Sequence, residues 1–238
     1  MIKLKLVLLL AKACNASYCD RDPRARAAIL DAAGLVEDAY LFGANDAHAL
    51  ICHSDPTEAL LAQRILAFTG TEFSEGEIPS IMSNVKAWPF DLGGGHEVDS
   101  GYWEQLQSIL PVLPPDPDLT AITGHSMGGC VAHLYANTHW KGPAVPVVSF
   151  GAPKCANAPF WADAGNQPLR YVHGRDFAPV WPYLPDEWEQ PGAQMWLHDG
   201  PDGAMVCEPN LHRPVMPDSI ADHAITAYIA ALAAAGGA

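Results

Sequence analysis

Leu119-Thr120-Ala121-Ile122-Thr123-Gly124-His125-Ser126-Met127-Gly128 joins a run of apolar and β-branched residues to the pattern G-x-S-x-G. The first five residues read as a strand buried in a sheet, and Val131, Leu134 and Tyr135 then fall at helical spacing. A strand that turns sharply into a helix between two glycines holds the serine in a strained backbone conformation. Its hydroxyl then stands at the carboxyl end of the sheet. The helix N-terminus beneath it favours developing negative charge. The competing reading is a glycine-rich turn with an incidental serine.

Outward from this elbow, further strand-like runs occur at His48 to Cys52, Arg64 to Phe68, Val145 to Phe150, Leu169 to Val172 and Met195 to Leu197. Helical patterns lie between several of them. Ile78, Ile81, Met82 and Val85 recur at i, i+3, i+4, i+7, as do Ile225, Tyr228, Ile229 and Leu232. Strands alternating with helices predict an α/β fold of the α/β-hydrolase kind, with a mostly parallel central sheet, helices on both faces and the elbow at Ser126. Nothing marks an internal boundary, so residues 1–238 read as one domain. Residues 1–18 read as an opening helix in preference to a signal peptide, because Lys12 interrupts the apolar run from Leu6. Pro111 to Pro117 suits a rigid loop leading into the elbow strand, and Pro179 to Pro191 a surface loop.

Composition limits the partners. The 238 residues carry 13 Lys+Arg against 27 Asp+Glu, a formal charge of −14. Such a field repels phosphate backbones and anionic headgroups, which disfavours nucleic acid and polybasic membrane binding. No run reaches the 18 or so apolar residues that a bilayer span needs. The six cysteines, Cys14, Cys19, Cys52, Cys130, Cys155 and Cys207, show no C-x-x-C spacing, and a chain of this size needs no disulfide scaffold. Cys52 and Cys130 sit in apolar stretches and read as core residues. Compartment is left open.

A serine hydroxyl attacks at neutral pH only when a base takes its proton, and the base must be oriented by a third group. On this fold the chain order is Ser, then Asp or Glu, then His. Among downstream histidines, His133 and His139 lie on or just past the elbow helix and are expected to point away from the active face, whereas His223 lies at the start of the terminal helix, at a loop-to-helix junction. His198 and His212 are alternatives that also read as loop histidines. For the acid, Asp176 closely follows the strand Leu169 to Val172. Asp163, Asp186, Asp199 and Asp202 lie in polar or Pro-rich loops and read as solvated.

These residues resemble the fungal-type triacylglycerol lipases of the class 3 family. Phe68-Thr69-Gly70-Thr71 is similar to the family's F-R-G-T/S, and Gly124 to Gly129 to its G-H-S-L-G-G. Phe150-Gly151-Ala152-Pro153 resembles the strand end after the elbow helix, Arg175 to Val180 the segment with the catalytic aspartate, and Asp222-His223 with Tyr228 the one with the histidine. Five motifs in order, over about residues 40 to 232, are far more specific than one. The resemblance implies a catalytic triad of Ser126, Asp176 and His223, and an oxyanion hole from the backbone N–H of Met127 and from Thr71. It also implies a lid at about Ser74 to Val85, hinged near Ser74 and Gly76, although an amphipathic stripe equally suits a fixed surface helix. Thr69 stands where the family has arginine, and Asp99 where histidine is common.

The expected activity is that of a serine carboxylic-ester hydrolase, foremost a lipase on acylglycerol-type esters, working through an acyl-enzyme without metal or organic cofactor. Alternatives keep the triad and change the ester, as in a phospholipase, a feruloyl-type esterase or an acyltransferase, or keep the fold without catalysis as a binding protein. The expected partner is a small-molecule or lipid ester, with no nucleic acid and no transmembrane segment.

Overall fold

The computed structural model describes residues 3–57, 61–71, 88–115, 118–182, 188–200, 202–209 and 219–237. The strands are β1 (Val36–Phe42), β2 (His48–Ser54), β3 (Gln63–Phe68), β4 (Pro89–Gly93), β5 (His96–Asp99), β6 (Ala121–His125), β7 (Val147–Phe150), β8 (Leu169–His173), β9 (Ala193–Asp199) and β10 (Met205–Pro209). The helices are α1 (Leu4–Ser17), α2 (Pro23–Ala33), α3 (Ser100–Ile109), α4 (Met127–Thr138), α5 (Ala158–Asp163) and α6 (Ile225–Leu232). Eight strands form one sheet in the order β1-β2-β3-β6-β7-β8-β9-β10, and β4 and β5 form a separate hairpin. From β3 to β9 the pairings are parallel, while β1, β2 and β10 add antiparallel edges.

Side chains alternate across a strand, and the sheet uses that alternation to fill two cores. Leu50, Cys52, Ile65, Ala67, Ala121, Val148 and Phe150 face a layer containing α1 and α6. Ala49, Ile51, Leu66, Phe68, Ile122 and Val147 face α3, α4 and α5 on the opposite side. The strands that read as continuous apolar runs are the ones covered on both faces.

Helix α1 buries Val7, Leu10, Ala11 and Cys14, while Lys5 is exposed and Lys12 partly so. The lysine that interrupts the apolar run therefore lies toward the outer edge of an amphipathic helix. Asp22 caps α2 by accepting from the Arg24 and Ala25 amides, and Gly34 closes it. All six cysteines are free thiols, with Cys52 and Cys130 fully buried.

Four strands are additional to the sequence reading. β1 carries Glu37 and Asp38, is mostly exposed and contains a register shift, and β10 carries Glu208 and Pro209. Such outer strands lack the apolar run that marks a central one. The β4–β5 hairpin turns through Gly93-Gly94-Gly95 and is likewise largely exposed. His198 and Asp199, read as loop residues, end β9, where His198 Nε2 lies 2.9 Å from Glu208 on β10. The stretch Ser74 to Val85, with its expected lid, lies outside the described residues, as do Asp186 and His212. Among the described residues no helix is long and apolar enough to cross a membrane.

His133 on α4 is fully buried, meets the Trp161 ring edge-on, and has no hydrogen-bond partner for either ring nitrogen among the described residues. Burial, with the Arg170 guanidinium adding to it, lowers its pKa to about 3. The unfolded chain takes up this proton near 6.5, so folding stability falls as pH drops through that value and keeps falling until about 3. His133→Leu removes this dependence. Its denaturation midpoint should fall less than the wild type's between about pH 7.5 and about pH 5, and equal falls would contradict the buried neutral ring.

Candidate active site

Ser126 joins β6 to α4 with φ 55° and ψ −129°, a left-handed value that a residue with a Cβ adopts only when its surroundings enforce it. The enforcement is visible in the packing. A Cβ on Gly124 would overlap the Gly128 carbonyl, and one on Gly128 would overlap the Phe68 carbonyl at the end of β3. The turn can be this tight only with glycine at both places. The Ser126 amide donates to the Phe150 carbonyl at 2.9 Å, which ties the serine to β7.

Asp176 follows β8 by three residues and is fully buried. Its segment is stitched to the one carrying the histidine: the Ser219 amide donates to the Arg175 carbonyl at 3.0 Å, and the Arg175 amide donates to Asp222 Oδ2 at 2.7 Å. His223 lies in a 3-10 turn, Ala221–His223, just before α6. Its Nδ1 is 2.9 and 3.0 Å from the two Asp176 oxygens, and its Nε2 is 2.9 Å from Ser126 Oγ. A carboxylate only accepts, so Nδ1 carries the hydrogen and Nε2 offers its lone pair to the serine hydroxyl.

Among the groups that donate to Asp176 are His223 Nδ1, the Tyr228 hydroxyl at 2.5 Å and the Ala178 amide at 2.9 Å. Burial alone would raise the pKa of this carboxyl. The charge and hydrogen bond of His223, with the bonds from Tyr228 and Ala178, outweigh burial and hold it below the ordinary value. Gly151, at φ 58°, makes room, since a Cβ there would come within 2.5 Å of Asp176 Oδ2 and 3.0 Å of His223 Nδ1.

Thr71 and Met127 lie side by side at the end of β3 and the start of α4, with the Thr71 hydroxyl 3.4 Å from Met127 Sδ. A cleft of about 340 Å³ lined by Thr69, Gly70, Thr71, Met127, His48, Asp20 and Gln105, among others, opens beside them. Thr69, in the place of the expected arginine, is buried and donates from its hydroxyl to the Ser17 carbonyl at 3.1 Å. Asp99 caps α3 by accepting from the Gly101 and Tyr102 amides. Its burial raises the carboxyl pKa to about 6.

The structure thus brings Ser126, His223 and Asp176 into one hydrogen-bonded line and sets Thr71 beside Met127. It leaves His133, His139, His198, Asp163, Asp199 and Asp202 out of that line. Two residues beyond the expected site contact it: Tyr228, whose tyrosine at i+5 from the histidine had only the motif as a signal, and His125, buried between Tyr18 and His223. The order of these elements, with a sharp strand-to-helix turn at Ser126, is that of an α/β-hydrolase sheet.

Residues 66–185, 120 of the 238, match the family described as "Lipase (class 3)". The chain belongs to this family of serine ester hydrolases. Two solved structures share its fold. One is a triacylglycerol lipase with a TM-score of 0.72 and 18% identity, covering 92% of each chain. The other is a lipase from Rhizopus microsporus var. chinensis, with a TM-score of 0.68 and 21% identity over 92% of this chain and 84% of that one. The chloroplastic phospholipase A(1) DAD1 of Arabidopsis thaliana is 32% identical over 90 residues. That match takes in 35% of this chain and only 20% of the relative's length.

Tyr228→Phe removes one donor to Asp176 without adding volume. The carboxyl should then titrate at higher pH, read by carbon NMR of labelled aspartate across the acid range; an unmoved titration would contradict the role given to the phenol.

Proposed function

We propose that the protein hydrolyses carboxylic esters through Ser126, His223 and Asp176. The observation that carries this reading is the unbroken hydrogen-bond line from Ser126 Oγ through both ring nitrogens of His223 to Asp176, all of it buried. Ser126 Oγ attacks the ester carbonyl as its proton passes to His223 Nε2, and Asp176 stabilises the imidazolium. The tetrahedral oxyanion is met by the Met127 amide at the N-terminus of α4 and by Thr71. Donors of this kind are worth about 3 to 4 kcal/mol each when aimed at the oxyanion. Collapse expels the alcohol, which takes the proton from His223 and leaves the acyl group on Ser126. Water, deprotonated by His223, attacks that acyl carbonyl, and Ser126 Oγ leaves with the proton to release the acid.

The first substrate class is acylglycerol-type esters, in line with the triacylglycerol lipases that share the fold. A second reading, a phospholipase of the A1 kind, is favoured by the 90-residue likeness to a phospholipase A(1). The charge of −14 weighs against anionic phospholipid surfaces.

Ser126→Ala should lower kcat on p-nitrophenyl esters by at least about a thousandfold while the protein stays folded. Turnover that survived would point to another nucleophile. Rates on an acyl chain-length series, taken below and above the solubility limit and repeated with zwitterionic and anionic phospholipids, separate the two readings. A jump at the interface with neutral acylglycerols supports the first, and preference for phospholipid supports the second.

A further inference from the structure

His125, the residue before the proposed nucleophile, is buried and has both ring nitrogens engaged. Its Nε2 lies 2.6 Å from the backbone carbonyl of His223, and its Nδ1 lies 2.6 Å from the Tyr18 hydroxyl at the end of α1. A carbonyl can only accept, so Nε2 carries the hydrogen and Nδ1 accepts from the Tyr18 O–H. The two bonds fix the tautomer from both sides. The His125 and His223 rings also lie 4.7 Å apart, tilted by 36°, with Tyr228 at 6.0 Å edge-on to His125.

From this geometry we infer that Tyr18 and His125 are positioning residues for the base. His125 straps the main chain of His223 to the elbow, and Tyr18 keeps the strap in its donating tautomer. The inference rests on the proposed role of His223. Its physical content is a distance constraint. Ser126 and His125 are adjacent in the chain, so a bond from His125 to the His223 carbonyl sets how far Nε2 of the base stands from Ser126 Oγ. The base lies in a short 3-10 turn, Ala221–His223, and the strap ties that turn to the elbow at the end of β6. A charged His125 would place a second cation beside the imidazolium that forms during attack. Burial, with the proximity of His223, lowers the pKa of His125 to about 3, so the strap stays neutral across the working range.

The test uses the full-length chain with Tyr18→Phe, His125→Leu, His125→Gln and a His223→Ala control. For each variant kcat, KM, the rate of phosphonylation by an organophosphonate ester and the unfolding midpoint are measured. Tyr18→Phe should lower kcat and the phosphonylation rate about three- to tenfold with KM changed less than about twofold, the size expected for one hydrogen bond. His125→Leu, which frees the base's main chain, should cost about a hundredfold in both rates. His125→Gln can donate to the carbonyl and accept from Tyr18, and should recover to within about tenfold of wild type. A purely structural role would lower the midpoint and leave the rates of folded protein unchanged. Wild-type rates in Tyr18→Phe and His125→Leu beside an inactive His223→Ala would overturn the strap alone. An active His223→Ala would overturn the base assignment, and the strap with it.

Discussion

The contact on which the site depends is the approach of backbone to backbone at the elbow. The Phe68 carbonyl of β3 lies against the α-carbon of Gly128, and the Gly128 carbonyl lies against that of Gly124. Those contacts fix the direction in which α4 leaves the sheet, and with it the left-handed φ of Ser126. They also set Met127 next to the end of β3, so that nucleophile and expected oxyanion donors come from one joint. Strain at a single residue costs on the order of 1 to 3 kcal/mol and persists only where the neighbours over-determine it. Here β3, β7 and α4 all do.

Around this joint the charge is arranged economically. Asp176 is held ionised by His223, Tyr228 and the Ala178 amide in a fully buried setting, while His125 is held neutral in the same layer. In the proposed mechanism protons move between Ser126 and His223 with the Asp176 carboxylate behind the imidazole and a neutral His125 beside it. The family's arginine after the β3 phenylalanine is absent, and Thr69 instead joins that strand to the Ser17 carbonyl with an uncharged hydrogen bond. Tyr40 donates to the same carbonyl at 2.7 Å. The end of α1 therefore touches the segment leading to Thr71 through Ser17 and the elbow through Tyr18 and His125.

Much of this was legible in the chain itself. The central strands announce themselves because burial on both faces favours apolar residues on both sides of the strand, as in Ala121-Ile122 and Val147-Val148. The elbow is legible because its two glycines answer steric demands that no other residue meets. Asp176 could be selected by its place after β8, and His223 by its place before the last helix. The outer strands β1 and β10 were not legible, since half-exposed edges with Glu37, Asp38 and Glu208 carry no run or clean alternation. Nor was the contact of Tyr18 with His125, which joins residues 107 apart and has no local signature. Motif order identified the residues that meet at the site, but not the hydrogen bonds that orient them.

The central claim is that Ser126 carries the acyl group during turnover. The direct measurement is intact-protein and peptide mass spectrometry after acid quenching during hydrolysis of a slowly deacylating ester. The account predicts an acyl adduct on the peptide containing Ser126, lost when excess nucleophile is added before the quench and absent in Ser126→Ala. An adduct on any other residue, or rapid turnover with no adduct at any quench time, would contradict it.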